Sequence, residues 1–166
     1  MSLNFKQRLN KVKAFVFDID GVLTDGTIHF HSDNTTSRRV NAKDGFALQR
    51  AVHEGFIIAI ISAATDENLR QRFKNLGIQA IYLGAYDKVE TLKVFTTAQN
   101  LKEEEVLFMG DDLPDLFAMK KVGVPCCPFD AASEIRELCV YVSPLKGGEG
   151  CARDVIEQVL RLNKKW

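Results

Sequence analysis

The stretch Phe15-Val16-Phe17-Asp18-Ile19-Asp20-Gly21-Val22-Leu23-Thr24 decides the fold, because an apolar strand ends there in two aspartates one residue apart. Residues i and i+2 of a strand point to the same face, so Asp18 and Asp20 are predicted to project together from its carboxyl end. Open α/β sheets bind ligands at that edge. Two like charges held this close cost free energy unless a cation or a shared proton compensates them. The stretch therefore predicts a site for a hard divalent cation, with a nucleophile and a proton donor.

The composition excludes several classes of partner. The chain has 166 residues, of which 46% are hydrophobic and 27% charged, and its formal net charge is zero. This length predicts one domain over residues 1–166 with a sizeable core. A zero net charge gives no general attraction for nucleic acid or an anionic membrane. No apolar run approaches the roughly 20 residues that span a bilayer. We therefore expect neither a nucleic acid nor a membrane as partner.

The cysteines and the first residues predict a cytoplasmic location. Cys126, Cys127, Cys139 and Cys151 show no C-x-x-C spacing, and two of them are neighbours. This pattern is typical of small buried hydrophobic side chains in a reducing compartment, and not of disulfides or zinc ligands. Residues 1–6 also lack the charged-then-apolar pattern of a signal peptide.

Apolar runs that alternate with amphipathic stretches predict a doubly wound, mainly parallel α/β sheet. The predicted strands are 12–19, 56–61, 80–83, 106–109, 122–125 and 139–142, and the predicted helices are 44–55, 66–76, 87–98, 114–121 and 152–162. Residues 26–40 read as a hairpin, which makes a flap over about 24–41 after the first strand. Asp44 is expected to cap the helix that ends at Gly55.

Further polar residues follow the other predicted strands. Ser62 ends the second long strand, and Lys88 opens a helix. The segment Gly-Asp-Asp-Leu-Pro-Asp, at residues 110–115, follows the predicted strand 106–109. Since each lies at or near the carboxyl end of a parallel strand, all are expected to face the crevice of Asp18 and Asp20. The set offers a nucleophile, an acid/base, a hydroxyl and a cation. Phosphoryl transfer needs these parts, because its transition state spreads negative charge over the phosphoryl oxygens.

In this order, the motifs resemble the haloacid dehalogenase (HAD) superfamily of phosphatases. They are D-x-D-G-V-L-T at 18–24, Ser62, Lys88 and G-D-D-x-x-D at 110–115. More narrowly, the chain is similar to the short, cap-less group typified by 3-deoxy-D-manno-octulosonate 8-phosphate (KDO 8-phosphate) phosphatase. Further local matches are Thr24-Asp25-Gly26, Asp44-Gly45, Asp87-Lys88 and Lys146-Gly147-Gly148-Glu149-Gly150. The resemblance implies a Rossmann-like HAD core with a hairpin flap and no cap domain.

The resemblance also implies a mechanism. Asp18 would attack phosphorus to form an aspartyl phosphate, and Asp20 would protonate the leaving oxygen and then deprotonate the hydrolytic water. Mg²⁺ would be held by the carboxylates of Asp18 and Asp111 and by the backbone carbonyl of Asp20. Ser62 would hydrogen-bond a phosphoryl oxygen, and Lys88 would neutralise the same group.

Other implied roles belong to the surroundings of the site. Asp112 and Asp115 are expected to orient Lys88 or metal-bound water, although either could simply cap a helix. Lys43 is a candidate substrate contact, and Arg153 is a candidate contact to a neighbouring subunit's site. An ordinary surface role suits both equally well. The group forms homotetramers in which hairpins pack together, so a homotetramer that acts on a small phosphorylated sugar acid is implied.

The second motif departs from the pattern of the group. Gly-Arg commonly follows its Ser or Thr, whereas this chain has Ser62-Ala63-Ala64. The change removes a plausible contact to the sugar acid's carboxylate or to a neighbouring subunit. The Glu that enzymes acting on 2-keto-3-deoxynonulosonate 9-phosphate carry there is absent too.

Three functional readings therefore stand beside one another. The favoured one is a phosphatase of KDO 8-phosphate in lipopolysaccharide sugar biosynthesis. A phosphatase of another phosphorylated sugar acid, such as 2-keto-3-deoxynonulosonate 9-phosphate, and a non-catalytic oligomerisation module stay open. A signalling receiver also has paired acids after its first strand, but its phospho-accepting Asp lies in the middle of the chain. It is disfavoured because the strand of the third motif has no such Asp here, and because Asp20-Gly21 supplies an acid/base beside the nucleophile.

Overall fold

The computed structural model describes residues 4–166. Residues 1–3 belong to the predicted domain and to the segment that was searched for a signal peptide, and they lie outside the described residues. The strands are β1 Ala14–Phe17, β2 His29–Phe30, β3 Thr36–Ser37, β4 Ile57–Ile61, β5 Ala80–Tyr82, β6 Val106–Met109, β7 Val124–Cys127 and β8 Tyr141–Val142. The α-helices are α1 Phe5–Leu9, α2 Ala42–His53, α3 Glu67–Lys74, α4 Lys88–Ala98, α5 Leu116–Met119, α6 Ser133–Leu138 and α7 Cys151–Leu162. Two 3₁₀ turns span Glu103–Glu105 and Leu113–Asp115.

The main sheet has six strands in the order β5-β4-β1-β6-β7-β8, and every neighbouring pair is parallel. The strands β2 and β3 pair antiparallel in a separate hairpin between β1 and α2. This topology confirms the predicted doubly wound α/β core and its hairpin flap. Because all six strands run the same way, their carboxyl ends meet at one edge of the sheet.

The core lies in two layers, one on each face of the sheet. All four residues of β1 are buried, since Phe15 and Phe17 face one layer while Ala14 and Val16 face the other. Helices α1, α2, α3 and α7 contribute buried apolar residues to the first layer. Helices α4, α5 and α6 contribute to the second. A strand covered on both faces reads as a continuous apolar run, which is why β1, β4 and β6 were visible in the sequence.

Several predicted boundaries were wrong. Strand 12–19 is shorter, since only Ala14–Phe17 is paired and Asp18 begins the turn out of the sheet. Helix 114–121 is a 3₁₀ turn followed by the short α5, and strand 122–125 is shifted to Val124–Cys127. Helices α1 and α6 were not predicted. Both are short, so their apolar residues are too few to establish a helical period.

The predicted cap of α2 was also wrong. The side chain of Asn41 accepts the Lys43 amide at 2.9 Å, which makes Asn41 the N-cap. Asp44 lies inside the first turn and is buried, and its Oδ1 accepts the Arg153 amide at 2.8 Å. Gly150, the N-cap residue of α7, has φ +107° and no side chain that could cap. Asp44 therefore supplies the cap of α7 from another helix.

None of the helices found between residues 4 and 166 combines the length and the apolar character needed to cross a membrane.

Candidate active site

The turn after β1 positions the first carboxylate. Asp18 is buried, and its Oδ1 accepts the Ile19 amide at 2.7 Å. The chain then reverses through Gly21, whose φ of +86° favours glycine. A Cβ on Gly21 would lie 2.0 Å from Oδ2 of Asp111. The Asp111 side chain from the loop after β6 therefore packs directly against Gly21, in the space that a Cβ would occupy.

Lys88 lies between two carboxylates. It opens α4 and is buried, and its Nζ is 2.9 Å from Oδ2 of Asp18 and 2.6 Å from Oδ1 of Asp115. Asp115 also accepts the Asp111 amide through Oδ2, at 3.1 Å. Both oxygens of Asp115 are thus engaged by the protein. Asp115 therefore links Lys88 to the loop that carries Asp111, and its predicted role in orienting Lys88 stays a prediction.

The acidic residues form a cluster that suits a cation. One carboxylate oxygen each from Asp18, Asp111 and Asp115 lies within 4.8 Å of the others. Burial raises the pKa of Asp111 to about 8, and the charges of Asp18 and Asp115 add to this rise. Burial, then the Asp115 charge, raises the pKa of Asp18 to about 6, while Lys88 opposes the rise. Crowded carboxylates whose charged forms are disfavoured are the donor set of a hard divalent cation.

Lys88 responds to the same charges in the opposite direction. Burial alone lowers the pKa of its ammonium, but the carboxylates of Asp18 and Asp115 outweigh burial and raise that pKa. Lys88 is therefore a fixed positive charge beside Asp18. Its single positive charge compensates only part of the negative charge of the three carboxylates. A bound cation would compensate the rest.

Asp20 is held by the hairpin flap. Arg38 donates from Nε to Oδ1 of Asp20 at 2.7 Å and from Nη2 to Oδ2 at 3.2 Å, and the Thr24 hydroxyl donates to Oδ1 at 3.2 Å. The sequence motifs did not identify Arg38. The signal that could have found it is the basic pair Arg38-Arg39, which directly follows the returning strand of the hairpin.

Ser62 lies at the carboxyl end of β4, the strand next to β1, and is buried. Its amide donates to the Tyr82 carbonyl at 3.0 Å, and its carbonyl accepts the Ala85 amide at 2.9 Å. These backbone bonds fix the residue, and its hydroxyl oxygen accepts the Ala64 amide at 3.3 Å. Ser62 is thus placed at the same sheet edge as Asp18.

Three predicted residues lie elsewhere. Asp112 is exposed, and its carboxylate accepts the Leu113 amide at 2.8 Å, which is the local cap that the sequence left open. Lys43 and Arg153 line a separate groove of about 490 Å³ on the α7 side. The guanidinium of Arg153 is 3.2 Å from Glu157 and lies over the ring of Trp166. The predicted substrate contacts of Lys43 and Arg153 stay predictions.

The sequence and the fold were compared with models of protein families, curated proteins and solved structures. No model of a protein family matches the chain. A curated relative, the 3-deoxy-D-manno-octulosonate 8-phosphate phosphatase KdsC of Yersinia pestis, is 29% identical over 159 residues, which are 96% of this chain and 85% of the relative.

Two solved structures are similar in both sequence and fold. The first is 3-deoxy-D-manno-octulosonate 8-phosphate phosphatase of Moraxella catarrhalis, in complex with a magnesium ion, a phosphate ion and KDO. It is 32% identical with a TM-score of 0.92, over 95% of this chain and 90% of that one. The second is a yrbi family phosphatase of Pseudomonas syringae, 36% identical with a TM-score of 0.93, over 96% and 91%. In each of these comparisons, the similarity covers at least 95% of this chain.

Proposed function

This chain belongs to the HAD-superfamily phosphatases related to KDO 8-phosphate phosphatase, and from that membership we propose that it hydrolyses the phosphate monoester of KDO 8-phosphate with Mg²⁺. The observation that carries the proposal is the position of Lys88, buried between Asp18 and Asp115 and beside the carboxylate of Asp111. A buried carboxylate next to a fixed ammonium suits a nucleophile for a negatively charged phosphoryl group.

The first step forms a covalent intermediate on Asp18. Its carboxylate attacks phosphorus, a new oxygen–phosphorus bond forms, and the bond from phosphorus to the sugar oxygen breaks. Asp20 gives a proton to that leaving oxygen. In the second step, Asp20 takes a proton from water, whose oxygen attacks phosphorus and releases Asp18 and inorganic phosphate.

The surrounding residues stabilise the charge that develops on phosphorus. Lys88 and the Ser62 hydroxyl would contact the phosphoryl oxygens, and Asp115 fixes the position of the ammonium. Asp18, Asp111 and the backbone carbonyl of Asp20 would hold Mg²⁺. When bound, this ion neutralises charge on the phosphoryl oxygens and balances the acidic cluster.

We further propose that the enzyme assembles as a homotetramer with its flaps packed together. The flap residue Phe30 is 83% exposed. Tyr86, which lines a groove together with Phe30, is 81% exposed. Exposed aromatic side chains beside an open crevice support burial against other copies. A cytoplasmic location is part of the same proposal, because the spacing of the cysteines is typical of a reducing compartment.

The test of the proposed reaction is phosphate release from a panel of substrates. KDO 8-phosphate, 2-keto-3-deoxynonulosonate 9-phosphate and ribose 5-phosphate are each assayed with Mg²⁺ and with a chelator. We expect metal-dependent release that strongly favours KDO 8-phosphate. Equal, slow release from all three would leave a phosphatase but reject this substrate, and metal-independent release would reject the role of Asp111.

A further inference from the structure

The flap engages both oxygens of the proposed acid/base. Nε and Nη2 of Arg38 lie 2.7 and 3.2 Å from Oδ1 and Oδ2 of Asp20. The side chain of Arg38 is only 8% exposed, so this is a partly desolvated, two-point ion pair. Asp20 therefore has no oxygen that is free of the guanidinium.

This pair has a mechanistic consequence. A guanidinium offers donors and no acceptor. A carboxylate that accepts hydrogen bonds from it through both oxygens is therefore oriented towards it. The pair fixes the orientation of the Asp20 carboxylate, so Asp20 can turn towards a leaving oxygen only if it gives up at least one of these contacts. A buried guanidinium left without an anion costs several kcal/mol. Arg38 has a second acidic neighbour, Asp66, but its Oδ2 is 3.9 Å from Nη1, which is too far for a hydrogen bond. Release of Asp20 is therefore favoured by another anion that takes its place on Nε and Nη2.

The surroundings of Arg38 provide a place for such an anion. Arg38 lines a groove of about 500 Å³ between the flap and the loop after β4, together with Phe30, Ala63, Ala64 and Tyr86. This volume is in the range of small-molecule sites. Among the residues that line the groove in the described part of the chain, Arg38 alone carries a positive charge, and Asp66 alone a negative one. The small side chains of Ala63 and Ala64 leave the guanidinium reachable from the groove.

We propose that Arg38 makes the enzyme specific for substrates that carry a carboxylate. The carboxylate of the sugar acid pairs with the guanidinium from the groove, and Asp20 is thereby released to the leaving oxygen. A neutral sugar phosphate lacks this group, so Asp20 stays bound to Arg38 and turnover is slow. The inference rests on the proposed function, because it assumes a phosphorylated sugar acid as substrate.

The experiment compares two substrates in four proteins. The values of kcat and KM are measured for KDO 8-phosphate and for the neutral ester ribose 5-phosphate. The proteins are the wild type, Arg38→Ala, Arg38→Lys and Arg39→Ala. Arg39 is the matched control, because it is the neighbouring arginine but is 74% exposed and pairs with Asp25. Circular dichroism checks that each variant is folded. If Arg38→Ala does not fold, Arg38→Lys carries the same comparison.

We expect Arg38→Ala to lower the preference for KDO 8-phosphate, measured as the ratio of the two kcat/KM values, by about 100-fold. The kcat for ribose 5-phosphate should rise, because Asp20 is no longer held. Arg38→Lys should keep part of the preference, since an ammonium makes one contact in place of two. Arg39→Ala should behave as the wild type.

Two results would overturn the inference, and they are distinguishable. If Arg38→Ala lowers kcat/KM for both substrates by the same factor, Arg38 only supports the structure around Asp20, and the proposed function stands. If the wild type itself shows no preference for KDO 8-phosphate, the proposed substrate is wrong and the inference falls with it. The second result is visible before any variant is made.

Discussion

The carboxylate of Asp18 has a distinct partner at each oxygen, the Ile19 amide at Oδ1 and the Lys88 ammonium at Oδ2. Asp18→Asn keeps the shape of the side chain but removes the charge and the nucleophile. We expect phosphate release to fall by about 10³-fold or more. The melting temperature should not fall, because one charge leaves a crowded acidic cluster. Phosphate release and thermal unfolding check both expectations, and robust turnover by this variant would refute the assignment of the nucleophile.

A substitution at Gly21 tests the close approach of the loops after β1 and β6. In Gly21→Ala, the new Cβ would lie 2.0 Å from Oδ2 of Asp111, so the Asp111 carboxylate must move. We expect the affinity for Mg²⁺, measured by titration calorimetry, to fall by about tenfold or more. The matched control is Gly55→Ala, since Gly55 has the similar φ of +87° but no atom within 4 Å of the added Cβ. Equal effects of both variants would mean that backbone strain, and not the contact with Asp111, weakens binding.

At the scale of residues, the sequence located the groups whose position follows from a strand end. Asp18, Ser62 and Asp111 each follow a continuous apolar run, and parallel strands bring such residues to one edge. Arg38 could not be located in this way, because the direction in which a hairpin folds over the sheet leaves no periodic signal. Asp44 was misread for a related reason, since a local capping pattern cannot reveal a partner more than 100 residues away.

At the scale of elements, Asp44 joins α2 to α7 and should make that junction sensitive to pH. Its Oδ2 is buried without a hydrogen-bond partner. Burial raises its pKa from 3.8 to about 6, although the amides of Arg153 and Gly150 oppose the rise. Between these values, the folded protein binds more protons than the unfolded chain. The contribution of Asp44 to the free energy of unfolding therefore falls as the pH rises through this window.

Asp44→Asn removes the charge and should abolish this dependence. Relative to the wild type, its free energy of unfolding should rise by on the order of 2–3 kcal/mol between about pH 4 and about pH 7. Urea unfolding of both proteins at a series of pH values measures the difference. Asp44→Ala serves as the comparison, because it removes the cap of α7 as well and should lose about 1 kcal/mol. A difference between Asp44→Asn and the wild type that does not change with pH would contradict the buried charge.

The boundaries of the elements show what the apolar pattern can and cannot predict. Strand β6 was predicted residue for residue as Val106–Met109, because it is a short run buried on both faces. The ends of β1 and β7 were misplaced, since apolar residues continue beyond the paired segment. Pairing depends on the neighbouring strand, so a single run of residues cannot define where it stops.

At the scale of the whole molecule, the crevice is made by topology. Strands β4, β1 and β6 are adjacent in the sheet although they are distant in the chain. Their carboxyl ends carry Ser62, Asp18 and Asp111, and α4 adds Lys88 from the same edge. The hairpin flap is the element that reaches over this edge from the side of Asp20. The parallel sheet therefore brings the proposed catalytic groups to one edge, where Arg38 of the flap contacts Asp20.

The proposed homotetramer predicts that the tip of the flap is an interface. Phe30 is 83% exposed, and burying a phenylalanine side chain contributes about 1.5–3 kcal/mol per copy. We expect Phe30→Ser to lower the mass measured by light scattering from that of four chains towards that of one. Val94→Ser, at an apolar residue of α4 that is 50% exposed, is the control and should not change the mass. If the wild type already has the mass of one 18.6 kDa chain, the flap is free in solution and the crevice is open.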